Sequence, residues 1–226
     1  QAGIASYNIE THSGTGVFLA NAVGNIDFRG MWWNPLLNQL EANCYGGTGF
    51  SGIPGIYHKP LDGNGYASNL NNTITSPNWQ PDFQSSGSYD WINNQFVYYN
   101  AGNIYRVNRA TNTLVSTTAV TGLPIATGLL TMYFVAYTGA PGYEIMLYEH
   151  NQRRAHFLNG TTGAHSFTTQ LPATTMNNNH SMYNVAYSNN RIFIHDFISK
   201  NWEGYQVLPD GCDTVFYTDS VEICEK

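Results

Sequence analysis

The chain has 226 residues, 11% of them charged and 42% hydrophobic, with a formal net charge of −6. An average domain carries roughly 25% charged residues, so this surface must be built from Asn, Thr, Ser, Tyr and Gly instead. Nine basic residues, with Arg153-Arg154 the one adjacent pair, cannot lay the cationic track that nucleic acid requires. No apolar run approaches the roughly 20 residues of a membrane-spanning helix.

No stretch keeps an apolar period of 3.6 residues, whereas 16 tyrosines and many threonines, valines and isoleucines favour strands, punctuated by 22 glycines and nine prolines. The expectation is an all-β, single-domain chain. In chain order, Ile4–Ile9 and Val17–Val23 make a two-strand unit. A recurring pattern then follows, in which an apolar or aromatic run leads into a polar turn and a second apolar run. It appears as Met31-Trp32-Trp33 before Gln39-Leu40, and as Tyr89-Asp90-Trp91-Ile92 before Gln95-Phe96. It returns as Met132–Tyr137 before Glu144-Ile145, as Met182–Tyr187 before Arg191-Ile192, and as Val215–Thr218 before Ser220-Val221. The residues after the turns (Leu40, Phe96, Ile145, Ile192, Val221) are 56, 49, 47 and 29 apart. A repeat of this length whose units are all strand predicts a β-propeller, with a Greek-key sandwich as the competing arrangement.

Three units end in Leu-Pro, at Pro124, Pro172 and Pro209. Proline cannot donate to a ladder and suits the exit from an outer strand. The expected blades are 31–77, 89–124, 130–172 and 182–209, the fourth reduced to three strands, with a fifth formed by 214–226 together with 1–23. Sharing the last blade between both termini would leave no terminal blade with a bare edge. Cys212 and Cys224 flank the hairpin Thr214–Glu222 and are expected to pair as a disulfide, leaving Cys44 as an apolar filler. A chain that opens at Gln1 without Met fits an exported protein whose signal peptide has been removed.

Chemical motifs are scarce. The seven histidines, at 12, 58, 150, 156, 165, 180 and 195, include no HExxH pair and no Cys/His cluster, so neither a metal nor a cofactor is expected. His195 and Asp196 are adjacent in a strand and should face opposite ways. No G-x-S-x-G elbow is present, and Gly46-Gly47-Thr48-Gly49 lacks the Lys-Ser or Lys-Thr of a phosphate loop. Asp27, Asp82, Asp90, Asp196, Asp210 and Asp213 could converge as a carboxylate pair, but nothing singles one out. What remains is an aromatic, charge-poor surface. Sugars stack on aromatic faces, and protein partners use Tyr and Trp as anchors. The units keep no common polar–aromatic triplet at their turns, which a sugar site repeated in every blade would need. The insertions Tyr45–Gly55 and Thr73–Ser88 instead suit one unique protein interface, with Phe50, Trp79 and Phe83 as its anchors. The expected function is therefore non-catalytic protein binding; a lectin-like propeller and a glycan-active enzyme are the alternatives.

Two segments carry a family resemblance. Phe28-Arg29-Gly30-Met31-Trp32-Trp33-Asn34-Pro35 with Gln39–Asn43, and Tyr98-Tyr99-Asn100-Ala101-Gly102-Asn103-Ile104-Tyr105-Arg106-Val107-Asn108, resemble blade motifs of exported propeller proteins of Bacteroidetes bacteria. The resemblance implies a periplasmic or extracellular location and a partner in the cell envelope. One role it suggests is an accessory or plug subunit of the type 9 secretion system.

Overall fold

The computed structural model describes residues 3–8, 11, 13–19, 28–44, 55–60, 71–72, 86–124, 133–150, 152–172, 180–196, 198–199, 201–208, 216–217 and 220–221. They contain strands and turns and no helix. The protein is all-β, as its composition predicts.

Four antiparallel sheets follow one another along the chain, each a simple meander in sequence order. The first comprises β3 (Phe28–Asn34), β4 (Gln39–Cys44), β5 (Gly55–Pro60) and β6 (Asn71–Asn72). β7 (Ser88–Asp90), β8 (Gln95–Asn100), β9 (Asn103–Asn108) and β10 (Thr113–Ala119) form the second. The third holds β11 (Tyr133–Tyr137), β12 (Ile145–Glu149), β13 (Arg154–Leu158) and β14 (His165–Gln170). The fourth has three strands among the described residues, β15 (His180–Ser188), β16 (Arg191–Asp196) and β17 (Trp202–Gln206). Two short hairpins stand apart: β1 (Gly3–Asn8) with β2 (Ser13–Leu19), and β18 (Phe216–Tyr217) with β19 (Ser220–Val221).

The sheets pack face to face, and each successive pair encloses its own core. Trp32, Ile56, Phe96, Tyr98, Val107 and Tyr105 fill the seam between the first and second sheets. Val97, Tyr99 and Ile104 meet Val135, Ile145, Leu147 and Leu158 in the next. Met146, Tyr148, Phe157, Val185, Ile192 and Ile194 lie between the third and fourth. Strand alternation explains this division. In β8, Phe96 and Tyr98 face the first sheet while Val97 and Tyr99 face the third; in β12, Ile145 and Leu147 face back while Met146 and Tyr148 face forward. Both strands are therefore buried on both faces and read as unbroken apolar runs. An aromatic ladder runs through the first seam, with Trp32 stacked on Phe96 at 5.0 Å, Phe96 on Tyr98 at 5.3 Å and Tyr98 on Tyr105 at 4.9 Å. Each such pair contributes about 1 kcal/mol beyond its buried area.

The first strands of the sheets lie side by side, β3 against β7, β7 against β11 and β11 against β15. A parallel bridge joins Ser86 to Phe134, and the Ser88 hydroxyl accepts the Tyr137 N–H at 3.0 Å. The shared terminal sheet expected from the sequence is not among the described ladders: β1 pairs with β2 and β18 with β19. Each of these two ladders pairs neighbouring stretches of the chain, the most local pairing open to them. Cys212 and Cys224 lie outside the described residues.

Candidate interaction surface

The turn that follows the first strand of each sheet is where the repeat pattern carries its chemistry. Asn34 ends β3, and its Oδ1 accepts the N–H groups of Leu36 and Leu37 at 3.1 and 3.2 Å. Asp90 ends β7 and does the same for Ile92 and Asn93 at 3.1 and 3.0 Å. A short polar side chain closing on the backbone two and three residues ahead is an Asx turn, which explains Asn or Asp at the head of both. Asn38 and Asn94 complete these turns at φ of 51° and 52°, a region asparagine tolerates better than most residues. The sequence Asn/Asp-x-Leu/Ile-x-Asn-Gln thus builds the same turn twice, at Asn34–Gln39 and Asp90–Gln95.

Because the Asx cap holds the backbone tight, the middle residues of the turn point outward. Leu36 is 69% exposed, Trp91 52% and Ile92 64%, with Leu37 also exposed. The two turns touch, since the Asn34 amide donates to Asn94 Oδ1 at 3.2 Å and the Tyr89 hydroxyl lies 3.2 Å from Asn34 Oδ1 and 3.0 Å from Asn94 Oδ1. Trp91 reaches onward to the third sheet's turn. Its ring meets Tyr137 edge-on at 4.9 Å and covers Gly139, where a Cβ would sit 3.0 Å from Trp91 Cζ2. Tyr143 in that turn is also exposed, with its ring edge-on to Phe167 at 5.1 Å. Three successive turns therefore present one apolar rim. Neither Asx turn exposes a charge, because Asp90 is buried.

Buried charge pairs anchor the rim from below. Arg109, 1% exposed, grips Glu41 with two bonds, Nε to Oε2 at 2.9 Å and Nη2 to Oε1 at 3.0 Å. Glu41 also accepts from Trp32 Nε1 at 2.8 Å, Gln39 Nε2 at 2.7 Å and Asn34 Nδ2 at 3.2 Å, and Arg109 donates to Asn112. One ion pair thus ties the second sheet to the first. Arg106 performs the next connection, donating to Asp90 Oδ2 at 2.8 Å and to the Gly160 carbonyl at 3.2 Å. Glu144 closes it from the third sheet by accepting the N–H groups of Gly142 at 2.7 Å and Gly160 at 2.8 Å. Burial pushes the Glu144 carboxyl up, but those two N–H groups and Arg106 outweigh it and hold it below the ordinary carboxylate range. The Tyr137 hydroxyl is pushed up to about 12, by burial first and then by the Asp90 carboxylate.

The sequence left the histidines unassigned, and three of them gather in the third sheet. His156 is fully buried, with Nε2 3.1 Å from Glu149 Oε2 and Nδ1 2.8 Å from Thr168 Oγ1; His165 Nε2 reaches the same hydroxyl at 2.9 Å. His150 is buried against Tyr148. Burial and then the neighbouring His156 hold the His165 pKa below its ordinary value. The unfolded chain therefore binds this proton more readily, so the contribution of His165 to stability is complete above about pH 6.5 and is lost as pH falls through the lower, folded-state value. Urea titrations at pH 7.5 and pH 5 should show a smaller acid-side loss for His165→Gln than for the wild type; equal losses would reject this role.

Among the described residues, no group of three His, Cys, Asp or Glu side chains is placed to hold a metal. His195 packs its ring against Trp202 at 5.2 Å, while Asp196 turns its carboxylate to the N–H groups of Ile198 and Ser199. Asp27, Asp82, Asp210 and Asp213 lie outside the described residues, as do the expected anchors Phe50, Trp79 and Phe83. Of the rim residues, Trp91 and Ile92 were visible as part of the repeat but not as a surface, and Leu36 fell between its two runs. The signal that could have found them is the apolar pair inside each Asx turn.

No protein-family model and no curated protein matches the chain. Among solved structures it is similar to U3-55K at 6% identity, with a TM-score of 0.43, covering 80% of this chain and 52% of that one. It is similar to a luciferin-regenerating enzyme at 11% identity, with a TM-score of 0.49, covering 82% and 60%. A third likeness is to the dihydro-heme d1 dehydrogenase NirN, at 10% identity, TM-score 0.43 and coverage of 92% and 40%. The chain thus spans between 40% and 60% of the length of these neighbours. Likeness at this level carries no argument about activity.

Proposed function

We propose that this chain is a non-catalytic, exported protein-binding module, folded as a five-bladed propeller whose last blade is completed by both ends of the chain. The observation that carries the binding role is the apolar rim of Leu36, Leu37, Trp91, Ile92 and Tyr143 on three linked turns. Large apolar side chains held outward by rigid, hydrogen-bonded turns are preorganised for a partner, and Trp and Tyr dominate interface energetics. The propeller reading is supported by the side-by-side first strands of the four sheets and their face-to-face seams. Export to the periplasm or outside the cell follows from the resemblance to exported Bacteroidetes propellers, as does a place in an envelope complex, for which the type 9 secretion system is the named case.

The test is capture of a partner from the cell envelope of the native organism with wild-type protein and with Leu36→Asp/Ile92→Asp, beside a glycan array. A stoichiometric partner is expected on the wild type, with its affinity for the variant lowered about 30-fold or more, corresponding to at least about 2 kcal/mol at a central apolar anchor. Equal capture by both proteins would remove the rim from the interface. Sugar binding with no protein recovered would turn the reading to a lectin.

A further inference from the structure

The dipeptide Asn-Gly occurs twice in the chain, at Asn64-Gly65 and Asn159-Gly160, and the second lies in the turn between β13 and β14. Asparagine before glycine is chemically fragile, because no Cβ obstructs the approach of the glycine nitrogen to the asparagine side chain. In that reaction the Gly160 nitrogen loses its proton and bonds to Asn159 Cγ, and the Cγ–Nδ2 bond breaks to release ammonia. Water then opens the resulting succinimide to aspartate or isoaspartate.

The electrophile in this turn is already activated. Asn159 Oδ1 accepts the N–H groups of Thr161 and Thr162 at 3.0 and 2.9 Å and the Thr162 hydroxyl at 3.1 Å. Three donors converging on one carbonyl oxygen are suited to the oxyanion that forms on attack. Thr161 and Thr162 are exposed, so water and base reach the turn. The nucleophile, by contrast, is restrained. Gly160 donates its N–H to Glu144 Oε2 at 2.8 Å, and its carbonyl accepts from Arg106 Nη2 at 3.2 Å. The other Glu144 oxygen is fixed by the Gly142 N–H at 2.7 Å. A carboxylate that accepts the Gly160 proton stabilises the N–H form, and its negative charge opposes the anion that proton loss would leave. The Glu144 carboxyl titrates below the ordinary carboxylate range, so it holds that proton without taking it.

We infer that Asn159 is a latent deamidation site, held closed by the Glu144 carboxylate on the Gly160 N–H. The Asx turn supplies the activated carbonyl, and the clasp from the neighbouring turn of the same sheet keeps the nitrogen from using it.

Peptide mapping by mass spectrometry, after incubation of the purified protein in mildly alkaline buffer, reads conversion at Asn159 independently of any binding partner. The folded wild type should convert far more slowly than the same chain unfolded in urea. Glu144→Ala, with unchanged circular dichroism, should convert about tenfold or more faster than the folded wild type, the worth of one charge-assisted hydrogen bond. Glu144→Gln keeps the shape but offers one acceptor oxygen to two N–H groups, and its rate should fall between the two. Thr162→Ala removes one donor to Asn159 Oδ1 and leaves the clasp in place, so it should be no faster than the wild type. Folded Glu144→Ala and Glu144→Gln proteins as slow as the wild type, a folded wild type as fast as the unfolded chain, or a Thr162→Ala protein as fast as Glu144→Ala would each overturn the inference.

Discussion

Arg109→Met is expected to destabilise the protein by about 3–5 kcal/mol, the usual loss when one partner of a buried ion pair is removed. Glu41 has no exposed side-chain surface, and its carboxylate is satisfied by Arg109 with help from Trp32, Gln39 and Asn34. Removing the guanidinium leaves neutral donors around a buried negative charge that water cannot reach. Pairing the change with Glu41→Leu should restore much of the loss, because replacing both charges removes the desolvation cost along with the attraction. Urea unfolding of the wild type, both single variants and the double variant gives the coupling energy directly. A single-variant loss below about 1 kcal/mol, the range of an exposed pair, would show that this clasp does not hold the first two sheets together. Since Asn34 binds both Glu41 and Asn94, the same variant should also loosen the rim.

Gly163→Ala should cost about 3 kcal/mol, for two separable reasons. At φ 71° an alanine is strained, by about 1 kcal/mol. The added Cβ would also lie 2.2 Å from the Ala119 carbonyl oxygen. That carbonyl belongs to backbone and cannot swing aside as a side chain would. The surrounding contacts are tight: Thr121 N–H donates to the Gly163 carbonyl at 3.1 Å, and His165 N–H donates to that of Thr121 at 2.8 Å. Gly142 provides the comparison, with φ 83° and open space where its Cβ would be. Gly142→Ala should therefore show the conformational part alone, about 1 kcal/mol. Equal losses at the two positions, measured by urea unfolding, would eliminate the close approach between the second and third sheets as the cause.

The all-β class and the spacing of the units were legible in the sequence because both depend on local pattern. Gln95–Asn100 and Ile145–Glu149 are short apolar runs between turn residues, and they became the strands buried on both faces. The Asx turns are local as well. Asn34 and Asp90 cap backbone groups two and three residues away, so the recurring Asn/Asp and the following Asn-Gln could be read in one dimension.

What only the tertiary structure decided is which distant residues meet. Glu41 and Arg109 are 68 positions apart, and Arg106 and Gly160 are 54 apart; nothing in their spacing announces a contact made across a seam between sheets. His156, Thr168 and His165 came together through strand register, which places His156 opposite Thr168 on neighbouring strands. Leu36, Trp91 and Ile92 are apolar, and an apolar side chain has no mark in the sequence for inside or outside. Their exposure was decided by the caps that turn them away from the seams. A repeat pattern encodes strands and turns through short-range hydrogen bonding, and the meeting of one sheet with the next depends on packing that no single unit contains.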